Sequence, residues 1–161
     1  MKVVRVHSYG ACHNNRKEPD IPVDPKWPNQ KRRRKVETLK HYKFYLAFEN
    51  MPISDYVSEK VFEGLVAGSV PVYRGAPEIA KFMPASDSFI DANQMSAEDL
   101  GNLLQRLGDP SNRVEYDKYL QFKKRPVPDS FVQMASMSYC HKNVLCRLCD
   151  HALNASRTYR P

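Results

Sequence analysis

The sequence has no stretch of about 18 consecutive apolar residues, so nothing in it reads as a helix that crosses a bilayer. Its opening, Met1-Lys2-Val3-Val4-Arg5-Val6-His7, is too short and too polar for the apolar core of a signal peptide. On these residues the chain is expected to be neither exported nor anchored. Cysteine is scarce: Cys12, Cys140, Cys146 and Cys149 are even in number but too sparse to impose an oxidising compartment. Internal repeats and low-complexity tracts are absent, which excludes solenoid architectures. Acidic residues are outnumbered, 18 against 25 basic, and the resulting charge of +7 suits a partner bearing phosphates. A nucleotide, a nucleic acid and an anionic membrane surface all meet that description.

What is present reads as one folded α/β domain. At 161 residues a core can be buried without help from disulfides or metal, and 42% hydrophobic with 27% charged residues is an ordinary globular balance. Residues 3–9 are β-branched and aromatic and end at Gly10, the pattern of a strand. Residues 12–35 are polar, carry Pro19, Pro22, Pro25 and Pro28, and close on Lys31-Arg32-Arg33-Arg34-Lys35; they read as a long surface loop, its Pro-rich basic part at 16–35. A short helix is expected over 36–42. The apolar run at 42–48 predicts a central strand buried on both faces.

After Glu49-Asn50-Met51-Pro52, a helix capped by Ser54 or Asp55 is expected to bury Val57, Val61, Phe62, Leu65 and Val66 and to end at Gly68. Strands at 69–73 and 88–92 follow, separated by a short helix at 77–82, and Ser96 starts another helix that ends near Gly108. Residues 112–124 and 130–137 read as further helices. This β-α-β-α order predicts a Rossmann-like, doubly wound parallel sheet with helices on both faces. The expected division is one domain over 1–150 and an exposed tail over 151–161.

In such sheets ligands bind beyond the carboxyl ends of the strands, near helix N-termini that favour anions. Tyr56, Glu59 and Lys60, spaced i, i+3 and i+4, are expected to share one side of the first turns of the helix after the apolar strand. Glu59 suits ribose hydroxyls, Lys60 suits phosphate oxygens, and Tyr56 and Asn50 supply neutral hydrogen bonds. The default reading of an adjacent Glu and Lys is a solvated helix pair.

Larger blocks add to this. The segments Tyr42-Lys43-Phe44-Tyr45-Leu46-Ala47-Phe48-Glu49-Asn50, Asp55-Tyr56-Val57-Ser58-Glu59-Lys60-Val61-Phe62, Leu65-Val66-Ala67-Gly68-Ser69-Val70-Pro71-Val72 and Gly75-Ala76-Pro77 resemble the donor-binding signature of α1,3-fucosyltransferases. The likeness continues through Phe82-Met83-Pro84 and Asp87-Ser88-Phe89 to Cys146-Arg147-Leu148-Cys149, and is greatest toward the eukaryotic branch that fucosylates N-glycans. The resemblance implies the C-terminal, GDP-fucose-binding half of a GT-B glycosyltransferase. It assigns ribose and pyrophosphate contacts to Asn50, Tyr56, Glu59 and Lys60, with Ser58, Arg74 and Gly75 lining the donor site. Met51-Pro52 replaces a small polar residue, and Ser58 replaces threonine while keeping the hydroxyl.

Further expectations come with the resemblance. It implies inverting transfer of fucose to a glycan or glycoprotein acceptor, GlcNAc in α1,3 linkage, with a carboxylate base and an arginine that both precede Met1 in the family. No Asp-x-Asp pair is present, and no metal ligand or obligatory metal cofactor is expected. The chain is then expected to be a fragment or degenerate copy that binds donor and transfers little, the alternative being a non-catalytic nucleotide-sugar-binding protein. Cys12, Cys140, Cys146 and Cys149 are disulfide candidates by the same resemblance, and zinc at Cys146-x-x-Cys149 is the weaker reading. Asn154-Ala155-Ser156 is a glycosylation sequon that gains meaning in the Golgi lumen, where the resemblance implies that the family works behind a membrane anchor, one not expected within these residues. The basic run is read as solvated rather than as a nucleic-acid patch.

Overall fold

The computed structural model describes residues 4–11, 13–27 and 29–136. Cys12, Cys140, Cys146, Cys149 and Asn154 lie outside the described residues. The chain forms two compact units, Met1–Arg125 and Pro126–Pro161. The boundary drawn from the sequence at residue 150 falls inside the second unit, whose described element is one helix, Asp129–Ser136. No helix among the described residues is long and apolar enough to cross a membrane.

The first unit is built on three parallel strands in the order β1 (Phe44–Phe48), β2 (Val70–Arg74), β3 (Ile90–Asp91). Phe44 pairs with Val70 and Leu46 with Val72, and Val72 pairs with Ile90, so alternate residues of all three strands share a face. On one face Val70, Val72, Ile90 and Ala92 pack against Leu104 and Leu107 of helix Ala97–Gly108 and against Tyr116 of helix Arg113–Lys118. On the other, Ala47 and Tyr73 pack with Val61 of helix Glu59–Ala67 and with Ile79, Met83 and Phe89. Helices thus cover both faces, as the alternating order predicts. Each fully buried valine of β2 contributes about 1.5–3 kcal/mol.

In chain order the helices are α1 (Gln30–Leu39), α2 (Glu59–Ala67), α3 (Ala97–Gly108), α4 (Arg113–Lys118) and α5 (Asp129–Ser136). Ser96 caps α3 as expected, accepting from the Asp99 N–H at 3.0 Å while its hydroxyl donates to Asp99 at 2.7 Å. Gly68 closes α2 with φ of +82°, a left-handed conformation that disfavours a side chain. Short 3₁₀ turns occupy Ile79–Phe82, Pro110–Asn112 and Gln121–Lys124, so the helix expected over 112–124 contracts to α4.

Four expectations are corrected. Residues 4–9 form no strand; they are tied to the residue two places ahead of β1, with His7 Nδ1 2.8 Å from the Tyr42 hydroxyl and a Tyr9 to Tyr42 hydroxyl contact. β1 is an edge strand rather than a central one, with only Ala47 buried and Leu46 and Phe48 exposed, because no described strand pairs with its second edge. Val66, placed in the apolar stripe of α2, is exposed, and the stripe is completed by Glu63. The loop expected over 16–35 ends at Asn29, whose side chain caps α1 by accepting from the Arg32 N–H.

That last correction consumes most of the basic run. Glu63, 2% exposed, faces Arg32 at 3.3 Å and Lys35 at 2.7 Å, and Arg33 reaches the Pro22 carbonyl and Asp24. A buried carboxylate needs such partners, so the positive charges here join α1 to α2. Only Lys31 and Arg34 of the five remain exposed, too little for a phosphate-tracking surface.

Candidate functional site

The carboxyl ends of the strands converge on one cluster. The ladder between β1 and β2 runs one residue beyond β1, with the Glu49 N–H donating to the Arg74 carbonyl at 2.8 Å. This fixes Glu49 beside Gly75 at the end of β2. The next strand adds Asn93, whose Oδ1 accepts from the Gly75 N–H at 2.9 Å and whose own N–H donates to Asp91 at 2.9 Å. Gly75 fits because it lacks a side chain: a Cβ there would lie 2.5 Å from the Tyr73 hydroxyl and 2.7 Å from Glu49 Cγ. The Tyr73 hydroxyl in turn accepts from the Ala76 N–H at 3.0 Å, closing the turn after β2.

The Glu49 side chain is fully buried, 0% exposed, and it is fully used. Its Oε1 accepts from the Ser58 N–H at 2.8 Å, and its Oε2 lies 2.8 Å from both the Ser58 hydroxyl and Lys60 Nζ. Lys60 Nζ also lies 2.9 Å from Ser58 Oγ. Since Ser58 has one hydroxyl proton and the carboxylate is the better acceptor, Ser58 donates to Glu49 and accepts from Lys60. Burial alone pushes the Glu49 carboxyl up, but the bonds from Lys60 and from the Ser58 N–H and hydroxyl outweigh it and hold it below the ordinary range. Burial likewise lowers Lys60, but the bond to Glu49 together with the charges of Glu49 and Glu59 outweighs it and raises the ammonium above its ordinary value. Both therefore remain charged at neutral pH.

The helix start follows from this arrangement. Ser58, not Ser54 or Asp55, is the N-cap of α2, because its side chain and backbone are committed to Glu49 and to the Lys60 N–H. Asp55 sits at φ of +61° and donates its N–H to Glu78 Oε1. Tyr56 consequently lies in the loop ahead of the helix, 37% exposed, and does not share its first turns with Glu59 and Lys60. Asn50, Glu59 and Arg74 are exposed, and Lys60 is 22% exposed, so the cluster opens to solvent on the side of these groups.

Chemically the cluster is a cation held at a helix N-terminus above the ends of a parallel sheet, surrounded by donors. Lys60 spends two of its three N–H groups on Glu49 and Ser58, and the third has no partner among the described residues. Asn93 Nδ2 is buried and has no hydrogen-bond partner among the described residues. An anion with several oxygens matches this supply of donors. Of the residues singled out from the sequence, Lys60, Ser58 and Gly75 lie together in this cluster, and Glu49 and Asn93, which were not singled out, complete it. The available signal for Glu49 was a carboxylate directly after five apolar strand residues.

A separate cavity of about 660 Å³ lies between residues 4–10 and the open side of β1, away from this cluster. Its walls include Val4, Leu39, Phe44 and Leu46, and the strand-end residues Glu49, Lys60 and Gly75 take no part in it. It offers apolar surface rather than a set of converging donors.

Comparison with known proteins gives a consistent result. Residues 1–161 match glycosyltransferase family 10 (fucosyltransferase), C-terminal part. A fucosyltransferase-like protein of Arabidopsis thaliana is 44% identical over 147 residues, covering 91% of this chain and 25% of its own. GDP-fucose protein O-fucosyltransferase 3 of Danio rerio is 38% identical over 126 residues, covering 78% of this chain and 27% of its own. The chain thus spans about a quarter of the length of these relatives. The crystal structure of an α1,3-fucosyltransferase superposes with a TM-score of 0.53 at 26% identity, over 76% of this chain and 30% of that one. The α/β fold described above is therefore that of the GT-B fucosyltransferases. With a family match running its whole length, the chain belongs to glycosyltransferase family 10, in that family's C-terminal portion.

Proposed function

We propose that the strand-end cluster binds the nucleoside diphosphate of GDP-fucose, and that the chain serves transfer of fucose from this donor with inversion at the anomeric carbon. The observation that carries this reading is Lys60, fixed by Glu49 and Ser58 at the N-terminus of α2 with one N–H to spare. In this reading Lys60 and the first amides of α2 meet the phosphates, and Glu59 accepts from ribose hydroxyls. Asn50 and Tyr56 add neutral hydrogen bonds from the exposed loop, and Arg74, Gly75 and Asn93 line the side beneath β2. As the bond to the sugar breaks, negative charge grows on the departing diphosphate, and a lysine and helix terminus already in place stabilise it without a metal.

The relatives' names bear on the acceptor. The solved structure is named for an α1,3 linkage and the zebrafish protein for a protein acceptor. We place the acceptor on a glycoprotein, with GlcNAc in α1,3 linkage as the first to test, and the working compartment in the Golgi lumen. Glu49 is a poor base for the acceptor hydroxyl, because it is fully engaged and its carboxyl is held below the ordinary range. This favours a chain that binds donor while the proton is taken by a group elsewhere. Titration calorimetry tests the reading: GDP and GDP-fucose are expected to bind saturably, with equal affinity before and after EDTA treatment. A folded chain that binds neither nucleotide sinks the donor site, and loss of binding in EDTA sinks the metal-free version.

A further inference from the structure

We propose that Glu49 is a positioning residue for Lys60: directly and through the Ser58 hydroxyl, it holds the ammonium where a phosphate oxygen completes its third hydrogen bond. The inference rests on the donor-site reading above.

A fully buried carboxylate is a costly way to stabilise a fold, and an apolar side chain of similar volume commonly serves as well or better. What Glu49 supplies that an apolar residue does not is direction. A lysine ammonium is a point charge on a flexible four-carbon stem, and here two of its protons are committed to atoms that are themselves immobile. Glu49 is fixed from three sides: its N–H by the Arg74 carbonyl, its carboxylate by the Ser58 N–H and hydroxyl, and its Cγ by close packing against the Gly75 backbone. Ser58 is fixed by being the N-cap of α2. The chain of contacts therefore runs from the β1–β2 ladder to the ammonium without a freely rotating link. The bond to Glu49 and its charge also help raise Lys60 above the ordinary lysine value, against the effect of burial, so that it meets a phosphate as a cation.

An opposing arrangement is equally definite: the carboxylate competes with phosphate for Lys60, and removing it tightens binding. The two predict opposite signs. In the 161-residue chain, Glu49→Gln is expected to weaken GDP by about tenfold or more while guanosine, which has no phosphate, changes by less than about twofold. Glu49→Asp keeps the charge but is one methylene short of the ammonium, and it is expected to weaken GDP as well. Ser58→Ala is expected to show the same split between GDP and guanosine, and Ser58→Thr to restore GDP binding. GDP can be followed by calorimetry and guanosine by NMR titration, with far-UV circular dichroism confirming the fold of each variant. Should Glu49→Gln fail to fold, the Ser58→Ala and Ser58→Thr pair decides.

Equal or tighter GDP binding in Glu49→Gln overturns the proposal, and so does a parallel loss of GDP and guanosine, which a merely structural role would give. A wild-type chain that binds guanosine but not GDP overturns the donor-site reading itself, a result distinct from either of these.

Discussion

Lys60→Met is expected to reduce GDP affinity by about 10- to 100-fold, the contribution of one charge-assisted hydrogen bond to a phosphate. The same substitution removes the cation facing a fully buried carboxylate. Deleting one partner of a buried pair costs about 3–5 kcal/mol. Because Lys60 is partly exposed and water reaches it, a loss of about 2–3 kcal/mol is expected from the same principle. The two effects separate in the double variant: adding Glu49→Gln to Lys60→Met neutralises the orphaned charge and recovers most of the stability, while GDP affinity stays low. Urea denaturation alongside calorimetry measures both quantities. If Lys60→Met leaves GDP affinity within about twofold of wild type, less than a single hydrogen bond to a charged group provides, the ammonium does not meet the phosphates.

Gly75→Ala is expected to destabilise the chain by about 1–3 kcal/mol, the usual range for an inserted methyl group in a packed site, and to weaken GDP binding with it. The added carbon would lie 2.5 Å from the Tyr73 hydroxyl and 2.7 Å from Glu49 Cγ. Tyr73 is fully buried and its hydroxyl holds the Ala76 N–H, so it has nowhere to retreat. The displacement therefore falls partly on Glu49 and passes through it to Lys60. Gly108→Ala provides the comparison, because the nearest atom to a new Cβ there is Phe44 Cε2 at 4.0 Å. Gly108 ends α3, where the substitution is expected to be neutral or mildly stabilising. Equal stability of the two variants would contradict the packing described around Gly75.

The parts of this fold that were legible in the sequence are those whose signals are local. β2 reads correctly because four of its five residues are buried, as an uninterrupted apolar run predicts for a parallel strand covered on both faces. α3 reads correctly because Ser96 and Asp99 form their cap within one turn. The misreadings fall where the decisive partner is remote. β1 carries the same apolar run as β2, but how much of it is buried depends on what lies beside its second edge. The basic run in α1 looked like solvated loop because its partner, Glu63, is about 30 residues away on α2.

The site divides along the same line. Ser58, Lys60 and Gly75 were singled out by motif, and the structure brings them together at one end of the sheet. Glu49 was passed over as part of a turn, since nothing local shows that its carboxylate turns inward to Ser58 and Lys60, nine and eleven residues ahead. Tyr56 was placed one element too far along because three residues in the stretch, Ser54, Asp55 and Ser58, all qualify as helix caps by type. Only the tertiary bonds to Glu49 and Glu78 select among them.

The most direct test is a GDP titration of the isotopically labelled chain followed by amide chemical shifts. The account predicts saturable shifts centred on Ser58, Glu59, Lys60, Gly75 and Asn93. Shifts centred instead on residues 4–10 and 42–46, around the cavity beside β1, would contradict it.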